Sequence, residues 1–215
     1  NGATATDTLK FNKGTLGGYS LSDLSFAKDG DNLVITVSDK GTVTVTDYFA
    51  TAEANRINTF LTLEGETKLT STLEWHTSSV TGEEAMYRVV DGTEAGESIT
   101  AITGIKHWIN AAGGNDTVTG ANAGDMLAGN GGNNTINAVA GAEVYGENGD
   151  DVVNAAGNNF IGVNGGNDTI NLAGTGNNTI WVYNDTADAT ATFNMTINGA
   201  TATDTLKFNK GTLGG

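Results

Sequence analysis

Single large apolar residues recur about every nine residues between Gly92 and Trp181, each preceded by a glycine-rich turn segment that ends in an acidic, amide or other polar residue. One apolar position per short unit is typical of three-residue strands joined by tight turns, and a fixed short period indicates a repeat fold. The ten predicted inward residues are Ile99, Ile109, Val118, Leu127, Ile136, Tyr145, Val153, Ile161, Ile170 and Ile180. Two residues before each of them lies a turn residue: Glu97, His107, Asp116, Asp125, Asn134, Glu143, Asp151, Asn159, Asp168 and Asn178.

We expect two units to close one coil, with successive coils stacking as parallel strands around a thin core. Glycine supplies the positive φ that such turns require. The pattern therefore predicts an all-β parallel β-roll, a β-solenoid, over residues 92–181, with final coils and the start of a further repeat in 182–215. Odd and even units then fall on opposite edges of the roll.

The units AAGGNDTVT from Ala111, GNGGNNTIN from Gly129 and VNGGNDTIN from Val163 resemble the RTX (repeats-in-toxin) nonapeptide G-G-x-G-x-D-x-U-x. The resemblance implies calcium between stacked turns, held by turn carboxylates and backbone carbonyls. The side chains that it implies as ligands are Glu97, Asp116, Asn134, Asp150, Asp151 and Asp168, with the backbone of Gly113, Gly131, Gly149 and Gly165. The second edge has fewer glycines, so Asp125 is a weaker candidate. An ion-free roll held by stacked asparagines is the alternative.

Residues 19–91 have a different pattern, in which apolar and polar residues alternate in short runs broken by DG, DK and KG. Such runs predict antiparallel strands. The predicted inward residues are Leu24, Phe26, Leu33, Ile35, Val37, Val43 and Val45, with further strands at 57–63, 67–73 and 86–90. The stretch from Asp7 to Phe60 is similar to the haemolysin-type calcium-binding-related domain, which implies a capping or spacing role for this small antiparallel β-rich module.

Residues 1–18 recur without a change as residues 198–215, at an offset of 197 residues. Neither chance nor divergent evolution explains an identity of this length, so we expect the chain to be one unit of a tandem array whose partners are adjacent identical repeats. The segment DTLKF is predicted to form a late coil. The predicted domains are therefore the end of a preceding solenoid (1–18), the β-rich module (19–91), the roll (92–181) and the final coils (182–215).

The outward residues of the predicted strands differ between the two sheets. The odd strands present mostly hydroxyl and amide groups, which leaves an ice-binding solenoid as a minor alternative function. The even strands are predicted to present an apolar stripe of Trp108, Met126, Val144, Phe160 and Trp181. An apolar stripe on the outer face of a sheet is usually covered by another protein surface. We expect this cover to be residues 19–91 folding back, or a neighbouring protomer in lateral self-association.

The formal net charge of −15 disfavours binding to nucleic acid and insertion into anionic membranes. Ten acidic residues and no lysine or arginine lie between His107 and Leu206, so folding is expected to depend on cations. The chain has no cysteine and none of the common catalytic signatures, which argues against an enzyme. The RTX resemblance implies type I secretion to the bacterial surface or medium. The predicted function is a calcium-stabilised extender of a large surface adhesin or fibril; the alternative is a secretion-linked RTX appendage of an exported enzyme.

Overall fold

The computed structural model describes residues 6–11, 18–64, 67–184 and 193–210; the other parts of the identical end segments, at 1–5, 12–17 and 211–215, lie outside the described residues. The chain divides into two compact units, Asn1–Val89 and Val90–Gly215. Strands dominate both units, and the first also contains short 3-10 helices at Leu21–Asp23 and Glu53–Asn55. The predicted all-β class, a parallel β-roll with a small antiparallel module, is confirmed.

The first unit contains two sheets. Its strands are β1 (Thr8–Lys10), β2 (Leu24–Asp29), β3 (Asn32–Val37), β4 (Gly41–Val45), β5 (Thr59–Glu64), β6 (Thr67–Thr77) and β7 (Glu84–Asp91). Strands β2–β3–β4 pair antiparallel, as do β5–β6–β7, and β1 joins the edge of β5 in parallel. Leu33 and Ile35 are fully buried, and Phe26 meets Phe60 edge to face at 5.9 Å, so the two sheets share one core. The prediction that Val43 points inward was wrong, because β4 is an edge strand and leaves it 39% exposed.

The second unit is the roll. Its strands are β8 (Ser98–Thr100), β9 (Lys106–Asn110), β10 (Thr117–Thr119), β11 (Met126–Ala128), β12 (Thr135–Ala138), β13 (Glu143–Tyr145), β14 (Val152–Ala155), β15 (Phe160–Val163), β16 (Gly166–Leu172), β17 (Thr179–Asn184), β18 (Phe193–Asn198) and β19 (Thr205–Lys210). The strands of the odd sequence units form what we call the odd sheet, in the order β18-β16-β14-β12-β10-β8. The strands of the even units, which we call the even sheet, follow the order β9-β11-β13-β15-β17-β19. The strand pairings described within these two sheets are all parallel.

The inward residues of successive coils lie in register and form the core. In the odd sheet Val118 pairs with Ile136, and in the even sheet Ile109 pairs with Leu127. These four side chains are fully buried and belong to one apolar cluster that runs along the roll. Burial of each such aliphatic side chain contributes about 1.5–3 kcal/mol. No coil buries enough apolar surface alone, so the stack as a whole stabilises each coil.

The register of β13 differs from the sequence-based prediction. Val144 pairs with Leu127 and Ile161 and is fully buried, whereas Tyr145 lies on the outer face. The predictions that Tyr145 points inward, that Val144 belongs to the outward stripe and that Glu143 is a turn residue were therefore wrong. The unit that ends at Tyr145 has eight residues and its turn is one residue shorter, so the turn position falls on Ala142. Valine also fits a thin core better than tyrosine does.

The outer face of the even sheet carries two neighbouring rows rather than one stripe. Trp108 and Met126 occupy one row with Glu143 and Phe160, while Trp181 lies in the next row opposite Gly162. The rings meet diagonally, with centroid distances of 5.4 Å between Phe160 and Trp181 and 5.8 Å between Tyr145 and Phe160. A Cβ at Gly162 would lie 3.0–3.7 Å from the rings of Tyr183, Tyr145 and Phe160, so the glycine leaves space for these three rings. Lateral self-association through this face stays a prediction, with Val144 removed from the surface.

The outer face of the odd sheet carries a row of amides that we call the strand ladder: Asn137, Asn154, Asn171 and Asn198. Each side-chain amide donates from Nδ2 to Oδ1 of the preceding member, at 2.9 Å in all three contacts. Asn137 continues the row with a longer contact of 3.4 Å to the Thr119 hydroxyl. The strand ladder therefore ties each coil to the next outside the core as well as inside it.

Replacement of Asn154 by valine is expected to destabilise the roll by about 1–2 kcal/mol, because it removes one donated and one accepted hydrogen bond of the strand ladder. Valine keeps the strand preference of the position. The control is Thr117→Val, an exposed position on the same sheet, which should change stability by less than about 0.5 kcal/mol. Urea unfolding midpoints measure both; equal midpoints would show that the strand ladder contributes nothing.

Candidate metal-binding edge

The turn ends of one edge form what we call the inner ladder: Asp116, Asn134, Asp151 and Asp168. Each of these side chains accepts, through Oδ1, the backbone N–H of the equivalent residue one coil earlier. The donors are Glu97, Asp116, Asn134 and Asp151, at 2.7, 2.9, 2.8 and 3.0 Å. All four acceptors are at most 3% exposed. The inner ladder therefore satisfies a column of buried N–H groups that no strand partner reaches.

The residues that precede the inner ladder form an outer ladder: Asn115, Asn133, Asp150 and Asn167. Here the direction is reversed, because Asn115, Asn133 and Asp150 each accept, through Oδ1, the backbone N–H of the next member. Asn133, Asp150 and Asn167 donate to their predecessors at 2.9, 3.0 and 2.8 Å. The members of the outer ladder are exposed. Two ladders of opposite direction fix the height and the rotation of each coil. Of the outer ladder, only Asp150 was among the predicted ligands; the sequence signal for the whole ladder is the paired ND, NN and DD at the turn ends.

A column of glycines lies beside the ladders: Gly114, Gly132, Gly149 and Gly166. All four have positive φ, between 96° and 129°. A side chain at Gly132 would overlap the carbonyl oxygen of Gly114, and one at Gly149 would overlap that of Gly132. Turn carbonyls on this edge therefore lie against the backbone of the next coil, close to the inner ladder. Of the predicted glycines, only Gly149 belongs to this column; Gly113, Gly131 and Gly165 lie one position earlier in their turns.

Two carboxylate oxygens of the inner ladder have no partner. Oδ2 of Asp116 and Oδ2 of Asp151 are buried and lack a hydrogen bond, although each residue uses its Oδ1. Burial raises the pKa of Asp151 to about 7, the backbone N–H and the side-chain amide of Asn134 oppose the shift, and the charges of Asp168 and Asp150 add to it. Burial likewise raises the pKa of Asp168 to about 6, against the N–H of Asp151 and with the charge of Asp150. The edge therefore carries more carboxylate oxygens than its own hydrogen-bond donors satisfy.

On the second edge, both carboxylate oxygens of Asp125 have hydrogen-bond partners. Oδ1 of Asp125 accepts the N–H of His107 at 2.8 Å, and Oδ2 accepts those of Ala121 and Asn122 at 2.9 and 2.8 Å. Burial raises the pKa of Asp125, but the hydrogen bonds from His107, Asn122 and Ala121 outweigh it, so that the net pKa is below its ordinary value. Oxygens that are already paired offer little to a cation, which is consistent with Asp125 as the weaker candidate.

The predicted ligands do not form one cluster. Among the described residues, no three histidine, cysteine, aspartate or glutamate side chains converge as a metal cage. The structure aligns Asp116, Asn134, Asp151 and Asp168 in one column, places Asp150 outside that column, and folds Glu97 back so that its Oε2 accepts the N–H of Thr93 at 2.7 Å. The chemistry of the column still fits a hard cation, because buried oxygens without partners are the groups that such a cation binds.

The fold and this edge define the class of the protein as a parallel β-solenoid of the β-roll type, with ladders of aspartate and asparagine at its turns. In the part of the chain that the structure describes, no helix has the length and apolar character needed to cross a membrane.

Comparisons with known proteins add little to this class. No protein-family description matches the chain, and no curated protein matches it. Among solved structures, the extracellular lipase LipA from Serratia marcescens is similar, with 14% identity and a TM-score of 0.30. The alignment covers 91% of this chain and 30% of the lipase chain, so this chain spans less than a third of that protein. A likeness at this identity and TM-score indicates nothing about function, so the function is inferred from the residues of the chain itself.

Proposed function

We propose that this chain is a calcium-stabilised structural repeat, an extender, of a large secreted bacterial surface adhesin or fibril. The observation that carries the proposal is the column of buried turn residues in which Oδ2 of Asp116 and Oδ2 of Asp151 lack partners. A buried ionised oxygen without a partner costs several kcal/mol unless a cation or a proton compensates it. Calcium bound beside these oxygens would neutralise them and tie successive turns together.

The residues that would hold calcium are Asp116, Asp151 and Asp168, with turn carbonyls of the same edge. Asn134 offers a neutral oxygen that already accepts the N–H of Asp116, so a site that includes Asn134 is expected to be weaker. Asp150 is exposed and belongs to the outer ladder, where its charge adds to the negative potential of the edge. The formal net charge of −15 gives the chain as a whole a negative potential that attracts cations.

An extender role is supported by the identical segments 1–18 and 198–215 and by the acidic solenoid between them. Solenoids stack one coil on the next, so they lengthen without changing in cross-section, which suits a spacer that projects a binding domain. The sequence carries no common catalytic signature, so we assign the chain a structural and not a catalytic role. An extracellular location at the bacterial surface follows from this proposal.

Thermal unfolding, followed by circular dichroism in EGTA and again in millimolar calcium, tests the proposal. We expect calcium to raise the melting temperature by about 5–10 °C for each saturated site, from about 2.7 kcal/mol of binding free energy at a hundredfold excess over Kd. Magnesium at the same concentration is the control for charge screening, because it prefers a rigid octahedral shell with bound water. An unchanged melt in calcium would contradict the proposal and favour a roll held by its ladders alone.

A further inference from the structure

One sequence occupies two different environments in this chain. The residues TLKF occur at 8–11 and again at 205–208. In the first copy, β1 pairs in parallel with β5, with Leu9 opposite Phe60. In the second copy, β19 pairs in parallel with β17, with Leu206 opposite Ile180. The same strand is therefore an edge strand of the antiparallel module at one site and the last described strand of the roll at the other.

The two pairings use opposite edges of that strand. The N–H of Thr205 donates to the carbonyl of Asn178 in the roll at 2.8 Å. The N–H of Phe11, the equivalent of Phe208, donates to the carbonyl of Leu61 in the module at 3.0 Å. Successive residues of a strand direct their N–H groups to alternate edges, and Thr205 and Phe208 are three residues apart. One strand can therefore make both sets of hydrogen bonds at once.

The side chains show the same complementarity. Phe11 is 7% exposed and stacks on Phe60 with a centroid distance of 6.3 Å. Its equivalent Phe208 is 65% exposed, and Leu206 is 44% exposed. Leu206 and Phe208 continue the inward column of Ile180 and Val182, since they pair with these residues. At the end of the roll the apolar face of this strand is therefore exposed, whereas in the first copy the module covers the same face.

We propose that β19 of one repeat is also β1 of the next, so that the following copy of the module (residues 19–89) seats its β5 on the free edge of the roll. A parallel sheet would then run without interruption from β17 through the shared strand to β5 of the next copy. The core column that contains Ile180 would continue to Phe60. This inference rests on the tandem array of the proposed function, but not on calcium. It makes the repeat junction a rigid joint and not a flexible linker.

The test compares the 215-residue chain with a two-repeat chain in which residues 1–197 are followed directly by residues 1–215. The readout is amide hydrogen exchange at the Phe208 position of the junction, measured in one buffer for both chains. We expect the Phe208 amide of the junction to exchange on the order of 100-fold more slowly than that of the 215-residue chain, as for a paired strand amide. Equal exchange rates in the two chains would overturn the inference.

Phenylalanine-to-alanine substitutions give a second readout with matched controls. In the 215-residue chain, Phe11→Ala should lower the melting temperature of the first unit by about 12 °C or more, whereas Phe208→Ala should leave the melting temperature of the roll nearly unchanged. In the two-repeat chain, Phe208→Ala at the junction should act as Phe11→Ala does. A junction variant that stays as neutral as Phe208→Ala in the single unit would contradict the shared strand. Because these comparisons are made in one buffer, they succeed or fail independently of the calcium melt.

Discussion

Replacement of Asp151 by asparagine is expected to raise the melting temperature in EGTA near pH 8 and to reduce the increment that calcium adds. The variant keeps Oδ1 as the acceptor for the N–H of Asn134 but removes a buried charge. Its new Nδ2 has a precedent one coil earlier, where Nδ2 of Asn134 donates to the carbonyl of Gly132 at 3.2 Å. A higher melting temperature in EGTA, together with a smaller increment on addition of calcium, distinguishes a metal ligand from a residue that only stabilises the fold.

The pH dependence has the same origin. Folding raises the pKa of Asp151 from 3.8 to about 7, so the folded state binds more protons than the unfolded state between these values. The stability that this group contributes is complete below about pH 4 and is lost as the pH rises through about 7. In EGTA the melting temperature of the wild type should therefore fall over this range, and Asp151→Asn should flatten the fall. Calcium, which favours the ionised form, should flatten it as well.

Asp125→Asn is the matched control on the second edge. Asparagine has one acceptor oxygen where aspartate has two, and its NH2 group only donates, so at least one of the N–H groups of His107, Ala121 and Asn122 would face another donor. We expect a loss of about 1–3 kcal/mol, a fall of about 3–10 °C, that is the same in EGTA and in calcium. The assignment of the two edges would be wrong if Asp151→Asn lowered the melting temperature in EGTA, or if the calcium increment depended on Asp125 and not on Asp151.

The second large effect concerns two adjacent glycines of one turn. Gly132→Ala is expected to destabilise the roll by about 2–6 kcal/mol. Gly132 has a φ of 96°, which strains a residue with a Cβ by about 1–3 kcal/mol. Its Cβ would also overlap the carbonyl of Gly114. Relief of that overlap by movement of a packed coil costs a further amount of about 1–3 kcal/mol. Thermal unfolding in calcium should show a fall of about 5–20 °C.

Gly131→Ala is the control for Gly132→Ala. A Cβ at Gly131 would have no neighbour closer than 3.8 Å, and its φ is not in the left-handed region. Alanine there restricts the unfolded chain, so we expect a change within about 1 kcal/mol, in the stabilising direction if any. Both variants keep the turn sequence otherwise intact. Equal effects of the two substitutions would show that the close stack of turn backbones on this edge does not form.

The eight-residue unit that ends at Tyr145 shows where local pattern stops being sufficient. Counting along the chain placed Tyr145 in the core, but a shortened unit can lose its residue from the turn or from the strand. Neighbouring coils decide the choice, because Val144 must lie between Leu127 and Ile161. The same holds for the inner ladder, where the partner of each Oδ1 is a backbone N–H about eighteen residues away.

By itself the sequence determined the class of the fold, the inward column outside β13 and the edge with the acidic, glycine-rich turns. Each of these depends on a short period, and a short period is a local property of the chain. Only the tertiary structure decided the register of β13, the opposite directions of the two ladders and the lack of partners for Oδ2 of Asp116 and Asp151. It also decided which edge each copy of the strand TLKF uses. Hydrogen bonds between coils join residues far apart in sequence, and their geometry exists only once the coils are stacked.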